Sequence, residues 1–413
     1  MRLALLALRN LSRNRRRTLL SLAVIAAGSV AILLTTGFVL FSFRGLEHAL
    51  IHGGLAHLEI VRADALTEGA FRLDRPVSHG LDEWEAVRAE AAALPGVAAV
   101  APNLHFMGVA QAADRSASFA GVGVEPGAES RMGFGTKMRG GEPLPDEAPE
   151  EGADRVLLTV GLADSLGVAV GDWVTLLGLS PEGMLNALDV EVAGLYTTGI
   201  QDLDTRLLKV HLTTAQRLLQ TARVSDLLVL LEEDAAMTAA GRTLETRFAD
   251  QEPPLALVTW RERAPYFDQV RNLYLGIFYF LGSVIFVLVV LSTSNTLMMT
   301  VMERVREIGT LRAVGTSRSQ IAGIFLAEAL WLGLFGGLLG DLVGFLATLG
   351  INALRLKMPA PPGAVDPIDL QLAIVPEAFV GVVLLMMVVL AVSAVVPITK
   401  ATRLQVVEAL AHV

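Results

Sequence analysis

Five histidines in the N-terminal half have the side-chain chemistry to hold a metal ion: His48, His52, His57, His79 and His105. Metal sites specify the spacing of their ligands closely, as in two histidines four apart on a helix with a carboxylate nearby. His48 and His52 are four apart, but they follow a long apolar stretch and no carboxylate-assisted pattern accompanies them. The pattern favours solvated or hydrogen-bonded histidines, and we predict no metal site.

No other pattern of residues indicates catalysis. The run 133–137, Gly-Phe-Gly-Thr-Lys, has neither the G-x-x-x-x-G-K-[ST] spacing of a phosphate-binding loop nor the signal of a following helix. The acids at 232–234 lack the alternating oxygen ligands of a calcium loop. The sequence contains no cysteine, which excludes disulfides and thiolate chemistry. We therefore predict no catalytic residue and do not expect the chain to be an enzyme.

Hydrophobic residues make up 53% of the chain and charged residues only 18%, with a mean hydropathy of +0.54. This balance excludes a disordered chain and argues against a wholly water-soluble one. A hydrocarbon core about 30 Å thick is crossed by about 20 helical residues. Four stretches are long and apolar enough: residues 18–43, 273–301, 321–351 and 373–396. We predict four transmembrane helices.

Basic residues indicate the orientation of these spans, because Lys and Arg in short loops mark the cytoplasmic side. They concentrate in the N-terminal tail, the 302–320 connection and the C-terminal tail: Arg2, Arg9, Arg13, Arg15, Arg16, Arg17, Arg304, Arg306, Arg312, Arg318, Lys400 and Arg403. The 352–372 loop has only Arg355 and Lys357. Both termini and the 302–320 connection are therefore predicted to be cytoplasmic, and the other two connections to lie outside.

The long connection between the first two spans, residues 44–270, is acidic, with 34 acidic and 18 basic residues. This charge excludes a nucleic-acid-binding face. The 168–177 stretch predicts a turn at Gly171–Asp172 followed by a strand, and alternating apolar residues predict strands over 188–195 and 207–212. Helices are predicted over 81–93 and 213–219, the second capped by Thr213 or Thr214. Gly, Pro and acidic residues predict a long loop over 133–152, dividing two subdomains.

The 302–320 connection reads Met-Glu-Arg-Val-Arg-Glu-Ile-Gly-Thr-Leu-Arg-Ala-Val-Gly-Thr-Ser-Arg-Ser-Gln. It predicts a short charged helix of mixed sign, with Ile308, Leu311 and Val314 as apolar anchors. Gly309 and Gly315 are expected to interrupt or cap it. Its pattern alone is also compatible with a solvated hairpin that merely joins two spans.

This segment resembles the coupling segment of the FtsX-like permease superfamily, which includes MacB exporters and the LolC and LolE lipoprotein-release subunits. The family pattern is close to E-R-x-R-E-I-G-x-L-R-A-x-G. The residues that we assign to ATPase coupling are Met302, Glu303, Arg304, Arg306, Glu307, Ile308, Gly309, Leu311, Arg312, Ala313 and Gly315. The resemblance implies that they dock into a groove of a separate ATPase subunit.

The third span and the insertion extend this resemblance. The span carries an acid and glycines in overlapping small-x-x-x-small pairs, a packing pattern. These residues are Glu328, Gly333, Gly336, Gly337, Gly340 and Gly344. An ionisable group within a membrane is costly unless it is paired, so we expect Glu328 to contact an arginine of the coupling segment or the N-terminal helix. More loosely, the insertion is similar to the outer domains of MacB and LolE.

The expected fold is a membrane α-helical protein with four transmembrane helices and a large α/β periplasmic domain inserted between helices 1 and 2. The expected parts are a cytoplasmic Arg-rich amphipathic helix (1–17), transmembrane helix 1 (18–43), the periplasmic domain with two subdomains (44–270), transmembrane helix 2 with its stalk (271–301), the coupling helix (302–320), transmembrane helix 3 (321–351), a periplasmic loop (352–372), transmembrane helix 4 (373–396) and a cytoplasmic tail (397–413).

By resemblance, the chain is expected to be a permease subunit of a bacterial inner-membrane transporter of the MacB and LolCDE type. Its partners would be an ATPase dimer that binds ATP and Mg²⁺, a second permease copy, a periplasmic carrier or adaptor, and membrane lipids. No cofactor is expected in this chain. The cargo would be a lipoprotein or another amphiphile. The alternative is an FtsX-like regulator that activates a periplasmic cell-wall hydrolase, a branch that typically has a smaller insertion.

Overall fold

A computed structural model describes residues 15–66, 77–134, 136–199, 201–232, 237–248, 253–358 and 368–403. The expected N-terminal helix up to residue 14, the acids at 233 and 234, the proline-rich loop at 359–367 and the tail from 404 onward lie outside these residues. The chain divides into two compact units. One comprises residues 1–44, 269–358 and 369–413, and the other residues 45–268 and 359–368.

The helices in chain order are α1 (Arg15–Leu50), α2 (Trp84–Ala92), α3 (Pro126–Arg131), α4 (Val160–Leu166), α5 (Gln201–Asp204), α6 (Leu212–Leu219), α7 (Met237–Phe248), α8 (Trp260–Arg263), α9 (Pro265–Glu303), α10 (Val305–Ala313), α11 (Arg318–Leu354), α12 (Pro376–Ser393) and α13 (Val395–Arg403). A π-helical turn, Ile51–Leu55, follows α1, and 3-10 turns occupy Ala63–Ala65 and Val77–His79.

The strands are β1 (Leu58–Arg62), β2 (Val97–Ala112), β3 (Arg115–Val124), β4 (Lys137–Gly141), β5 (Arg155–Thr159), β6 (Trp173–Leu179), β7 (Leu185–Thr197), β8 (Leu207–His211), β9 (Asp226–Leu231), β10 (Leu255–Thr259), β11 (Lys357–Met358) and β12 (Ile368–Asp369). The first ten form a single sheet, nine of them in the order β10-β1-β9-β2-β3-β8-β5-β7-β4 and β6 outside this order.

Strand β6 closes part of this sheet into a ring, because it pairs with both β2 and β7. The ring contains β2, β3, β8, β5, β7 and β6 in that order. Two of its pairings, β3 with β8 and β5 with β7, are parallel, and the others are antiparallel. Closure removes the free edges that ring strands would otherwise expose to other chains.

The main core of this α/β unit consists of the inward residues of the strands, covered by α2, α4, α6 and α7. Leu104, Leu158 and Leu176 are representative, each with no exposed surface. A second, smaller core packs Met132, Leu228, Trp260 and other apolar side chains together. The strands therefore bury side chains on more than one face, which explains their continuous apolar runs.

Most sequence predictions for this unit are confirmed, with two corrections. The predicted strands correspond to β6, β7 and β8, and the predicted helices to α2 and α6. The cap of α6 was predicted wrongly: it is His211, whose side chain accepts a hydrogen bond from the Thr213 amide. The predicted loop over 133–152 contains β4, which pairs with β7 and so obtains its hydrogen bonds from a distant part of the chain. The division into two subdomains remains a prediction.

The other unit is a helical bundle, and among the residues that the structure describes it has four apolar helices that fit the predicted spans by length and composition. The helices long and apolar enough to cross a membrane include α1, α9, α11 and the continuous stretch Pro376–Arg403. Their shared core includes Ile25 of α1, Val289 of α9, Leu332 of α11 and Met386 of α12. The expected 18–43, 273–301 and 321–351 spans lie within longer helices, and α13 continues into the expected tail.

Glycines let α11 pack closely against two neighbours at once. A Cβ atom at Gly333 would lie 2.9 Å from the Met387 Cα of α12. At Gly340, on another face of α11, it would overlap the Ser29 side chain and lie 2.9 Å from the Ala26 carbonyl of α1. Gly337 faces α12 in the same way, and Gly336 and Gly344 face α1. These two glycine rows bring the helix backbones together without intervening side chains.

The glycine rows predict opposite effects for one substitution at two positions of α11. Gly340→Ala should destabilise the bundle by about 1–3 kcal/mol, because the added methyl overpacks the contact with α1. Gly350→Ala is the matched control, since nothing lies within 4 Å of a Cβ there. Alanine's better helix propensity should make the control neutral or up to about 1 kcal/mol stabilising. Thermal unfolding in detergent measures both, and equal shifts would contradict the packing account.

Candidate functional site

The 302–320 segment, for which the resemblance implies ATPase coupling, contains the end of α9, all of α10 and the start of α11. The predicted single helix is shorter than expected, because Arg304 leaves helical geometry (φ −110°, ψ 14°) between α9 and α10. Helix α10 then ends in a Schellman motif: the Gly315 amide donates to the Arg312 carbonyl and the Thr316 amide to the Leu311 carbonyl. Gly315 has the positive φ of +102° that this motif needs.

The next helix starts at once. Ser317 caps α11, accepting a hydrogen bond from the Gln320 amide, and the Gln320 side chain accepts one from the Ser317 amide. This reciprocal capping box fixes the first turn of α11. With a C-terminal motif on one helix and an N-terminal motif on the next, the turn between α10 and α11 has little freedom. We call the 302–320 segment the elbow.

One face of α10 packs into the bundle. Ile308 is buried in a small cluster with Val301 of α9, Phe325 of α11 and Ala401 of α13. Val305 and Gly309, one turn apart on the same face, are also buried. The Arg312 Nη1 donates a hydrogen bond to the Thr402 carbonyl of α13 at 3.4 Å. Helix α10 is thus packed against α9, α11 and α13.

Arg304 links the elbow to the interior of α11. Its Nε donates to the Glu307 Oε2 at 2.8 Å, and its Nη1 lies 3.8 Å from the Glu328 Oε2. Its guanidinium also lies 6.0 Å from the centre of the Phe325 ring. Glu328 is only 6% exposed. Burial disfavours a charged carboxylate, and the nearby cation of Arg304 partly compensates for this. This is the contact with the coupling segment that the sequence predicted for Glu328.

The opposite face of the elbow points outward. Leu311 is 42% exposed and Val314 is 83% exposed, so their interpretation as apolar anchors was wrong. At 100° per residue, the buried face of α10 passes through 305, 308 and 309, and packing on one side leaves the other residues outside. The exposed residues of the elbow are Met302, Glu303, Arg306, Glu307, Thr310, Leu311, Ala313, Val314, Gly315, Ser317, Arg318, Ser319 and Gln320.

The structure therefore divides the predicted site residues into three groups. Arg304, Ile308, Gly309 and Arg312 fasten the elbow, and the outward residues form its exposed face. The glycines of α11 lie further along that helix and contact α1 and α12 instead. Sequence reasoning missed Val305 and Phe325. Val305 could have been found from its spacing of three and four residues from Ile308 and Gly309, whereas the part played by Phe325 depends on tertiary packing.

The His48 and His52 rings lie together, with centroids 4.1 Å apart, whereas His52, His57 and His105 have different polar partners. The His57 Nδ1 accepts from the Leu231 amide at 3.1 Å, and the His105 Nε2 lies 3.0 Å from the Asp226 Oδ2. The His52 ring donates to the Met132 carbonyl at 3.1 Å. In the part of the chain that the structure describes, no three His, Cys, Asp or Glu side chains are grouped so that they could hold a metal ion.

Two family models match the chain. Residues 18–247 match the MacB-like periplasmic core domain, and residues 279–406 match the FtsX-like permease C-terminal domain. The first covers more than half of the chain, and the second contains the whole elbow.

Individual proteins show the same relationship. The lipoprotein-releasing system transmembrane protein LolC of Neisseria meningitidis serogroup B is 29% identical over 243 residues, which cover 57% of this chain and 56% of LolC. The ABC transporter permease YtrF of Bacillus subtilis is 30% identical over 135 residues, 32% of this chain and 31% of YtrF. The chain thus spans about half or less of the length of these curated relatives.

Among solved structures, the periplasmic region of MacB from Actinobacillus actinomycetemcomitans is similar at 13% identity with a TM-score of 0.37, over 53% of this chain and 95% of that one. The family itself is shown by the two matched models, which between them contain most of the described helices and strands. The chain belongs to the FtsX-like, MacB-type family of ABC transporter permeases.

Proposed function

We propose that the chain is the permease subunit of a bacterial inner-membrane transporter in which a separate ATPase docks on the elbow and drives motion of the 44–270 domain. The observation that supports this most is the form of the elbow. It is a short helix fastened on one face, with apolar and charged side chains exposed on the other. ATP and Mg²⁺ bind to the partner, which carries out the hydrolysis.

The exposed face of the elbow has the composition of a protein interface. Exposed Leu311 and Val314 provide apolar contact area, and Arg306 and Glu303 provide charges beside it. Interfaces commonly combine an apolar centre with a polar rim. A docked partner would bury apolar groups that otherwise face water. The elbow's own fold would not need to change, because other residues fasten it.

Helix α9 is the element that connects the elbow to the 44–270 domain. Its 39 residues span about 58 Å at 1.5 Å per residue, well beyond a hydrocarbon core of about 30 Å. It ends at Glu303, directly before Arg304. A displacement of the elbow would therefore pass along a continuous helix towards β10 and α8, which precede α9 in the chain.

The proposed orientation follows from the basic residues. The elbow carries Arg304, Arg306, Arg312 and Arg318, so it is placed in the cytoplasm, where an ATPase has access to ATP. The acidic 44–270 domain is then periplasmic. In this arrangement the cargo does not need a channel through the four spans. Motion of the periplasmic domains would extract or propel a substrate that has already reached the outer side.

A second permease copy is proposed to cover part of α9. This helix places Val289 and Leu297 in its own bundle, while Phe280, Leu288 and Leu291 are each at least 60% exposed. Lipid tails and another copy's helix are both apolar enough to cover such side chains. The ATPase would also be dimeric, one subunit for each elbow.

The proposed cargo is a lipoprotein or another amphiphile bound for the outer membrane, or a compound passed to an outer-membrane duct. The LolC relative is named for lipoprotein release, and we extend that class to this chain. Capture of the full chain from native membranes, followed by mass spectrometry, tests the proposal. An ABC ATPase and lipoproteins are expected, whereas a cell-wall hydrolase as the main periplasmic partner would contradict it.

Val314→Asp should weaken the association with the ATPase by at least about tenfold, roughly 1.4 kcal/mol. The substitution places a charge in the apolar part of the exposed elbow face, where docking would bury it without a partner. Co-purification of the ATPase with the tagged chain, titrated in detergent, measures the loss. Val170→Asp is the matched control: Val170 is 44% exposed but belongs to the 44–270 domain. Equal retention of the ATPase by both variants would exclude docking through this face.

Glu328→Gln should keep the ATPase bound but lower the stimulation of its activity by roughly fivefold, about 1 kcal/mol. The amide has nearly the same shape but loses the charge that attracts Arg304, while Arg304 retains Glu307. The measured quantity is the ATPase activity of the complex relative to the ATPase alone. Asp341→Asn makes the same chemical change elsewhere on α11 and should leave the ratio unchanged. Wild-type stimulation in Glu328→Gln would argue against a coupling part for this pair.

A further inference from the structure

The segments that join the 44–270 domain to its two long helices meet in the second core. The π-helical turn after α1 contributes Ile51, and Ala56 follows it. From the other end of the domain come Trp260 of α8, Ala264 and Phe267. The Trp260 and Phe267 rings pack edge to face, with centroids 4.9 Å apart. We call this cluster the junction.

A buried acid lies beside the junction. Leu58 and Ile60 of β1 belong to the main core, so Glu59, which lies between them, points to the opposite face of the sheet. Its register partner on β9 is Leu228, a member of the junction's core. Glu59 is 1% exposed. A carboxylate at such a position is tolerated when a cation and hydrogen bonds compensate its charge.

Arg263 is the partner of Glu59. Its Nε donates to the Glu59 Oε2 at 2.7 Å. Arg263 ends α8, whose first turn is fixed by a capping box between Thr259 and Glu262. The Trp260 amide also donates to the carbonyl of His57, the residue before β1. Pro265, the first residue of α9, follows two residues after Arg263.

We infer that the Glu59–Arg263 pair is a positioning pair that fixes the direction in which α9 leaves the sheet. The inference rests on the proposed function, because a fixed direction matters only if motion passes along α9. It identifies residues of the 44–270 domain that act through α9 without touching cargo or ATPase.

The physical reason is the difference between apolar and charged contacts. Apolar packing at the junction is not directional and tolerates small rotations of α9. A buried Arg–carboxylate hydrogen bond is short and directional. A buried pair of this kind often adds little stability over an apolar replacement, and such pairs are best explained where they specify an arrangement. The position of the Glu59–Arg263 pair next to the start of α9 fits a part in specifying an arrangement.

An apolar replacement can separate the effect of the pair on stability from its effect on the direction of α9. The test therefore replaces the pair by apolar residues of similar volume, Glu59→Leu with Arg263→Met. The chain contains no cysteine, so spin labels can be introduced at two exposed positions, Gln111→Cys on β2 and Gln269→Cys on α9. The full chain is reconstituted in lipid nanodiscs with its ATPase, and labelled chain is diluted into an excess of unlabelled chain. Pulsed electron spin resonance then gives the distance distribution with and without Mg-ATP and vanadate.

We expect the apolar pair to unfold at the wild-type temperature or higher, yet to give a distance distribution about twofold broader than that of the wild type. If the pair only stabilises the domain, the width of the distance distribution should change only when the unfolding temperature falls. A variant as stable as the wild type would then keep the narrow distribution. That result would overturn the inference. If the apolar pair does not fold, Glu59→Gln decides in the same way, with a broad distribution expected and a narrow one contradicting.

Asp154 and Arg217 provide a matched control. They form another ion pair in the same domain, with an acid that is 1% exposed, but Asp154 precedes β5 and Arg217 lies on α6. Asp154→Leu with Arg217→Met should leave the width unchanged, and an equally broad distribution would also overturn the inference. Failure of the proposed function would give a different result, because the distance between the two labels in the wild type would not respond to Mg-ATP. The width of the distance distribution without nucleotide would still test whether the Glu59–Arg263 pair fixes the direction of α9.

Discussion

The elbow depends on one arginine placed between two acids. Arg304 lies where the chain leaves α9, and its side chain reaches Glu307 on α10 and Glu328 on α11. A lone carboxylate as deeply buried as Glu328 would be costly, and a lone arginine at a helix break would leave that break free to bend. Arg304 places a positive charge 3.8 Å from the buried carboxylate of Glu328 and hydrogen-bonds Glu307 across the break between α9 and α10.

The helices of this unit pack in two ways, which differ in how closely the helix backbones approach each other. The glycine rows of α11 bring its backbone against α1 and α12, where even one added methyl group would overlap a neighbour. Helix α9 instead contributes only a narrow stripe of buried residues and exposes many large apolar side chains. The bundle is therefore closely specified around α11 and loosely specified around α9. A mechanical element is better placed on the second kind of helix, because its motion disrupts fewer contacts.

Sequence patterns predicted the features that local chemistry determines. Apolar length gave the four spans, alternation gave β6, β7 and β8, and the basic residues gave a proposed orientation. The misses share a physical cause, since each depends on contacts between residues distant in the chain. Strand β4 obtains its hydrogen bonds from β7, and Leu311 and Val314 point outward because α10 packs on one side only. The pairing of Glu59 with Arg263 could not be predicted from the apolar sequence of β1, because the two residues are 204 apart in the chain.

An arginine lies near each end of helix α9, and each of the two lies close to a buried glutamate. Arg263 lies just before its first residue and Arg304 just after its last, and each contacts a nearly buried glutamate of another element, Glu59 and Glu328. Apolar contacts along the helix can slide, whereas the hydrogen bonds from Arg263 to Glu59 and from Arg304 to Glu307 depend on direction. The Arg304–Glu328 contact is a looser ion pair at 3.8 Å. A lever needs this distribution of constraints, with freedom along its length and fixed angles at its ends. Under the proposed function, the same chemistry would therefore fasten α9 to the elbow at one end and to the sheet at the other.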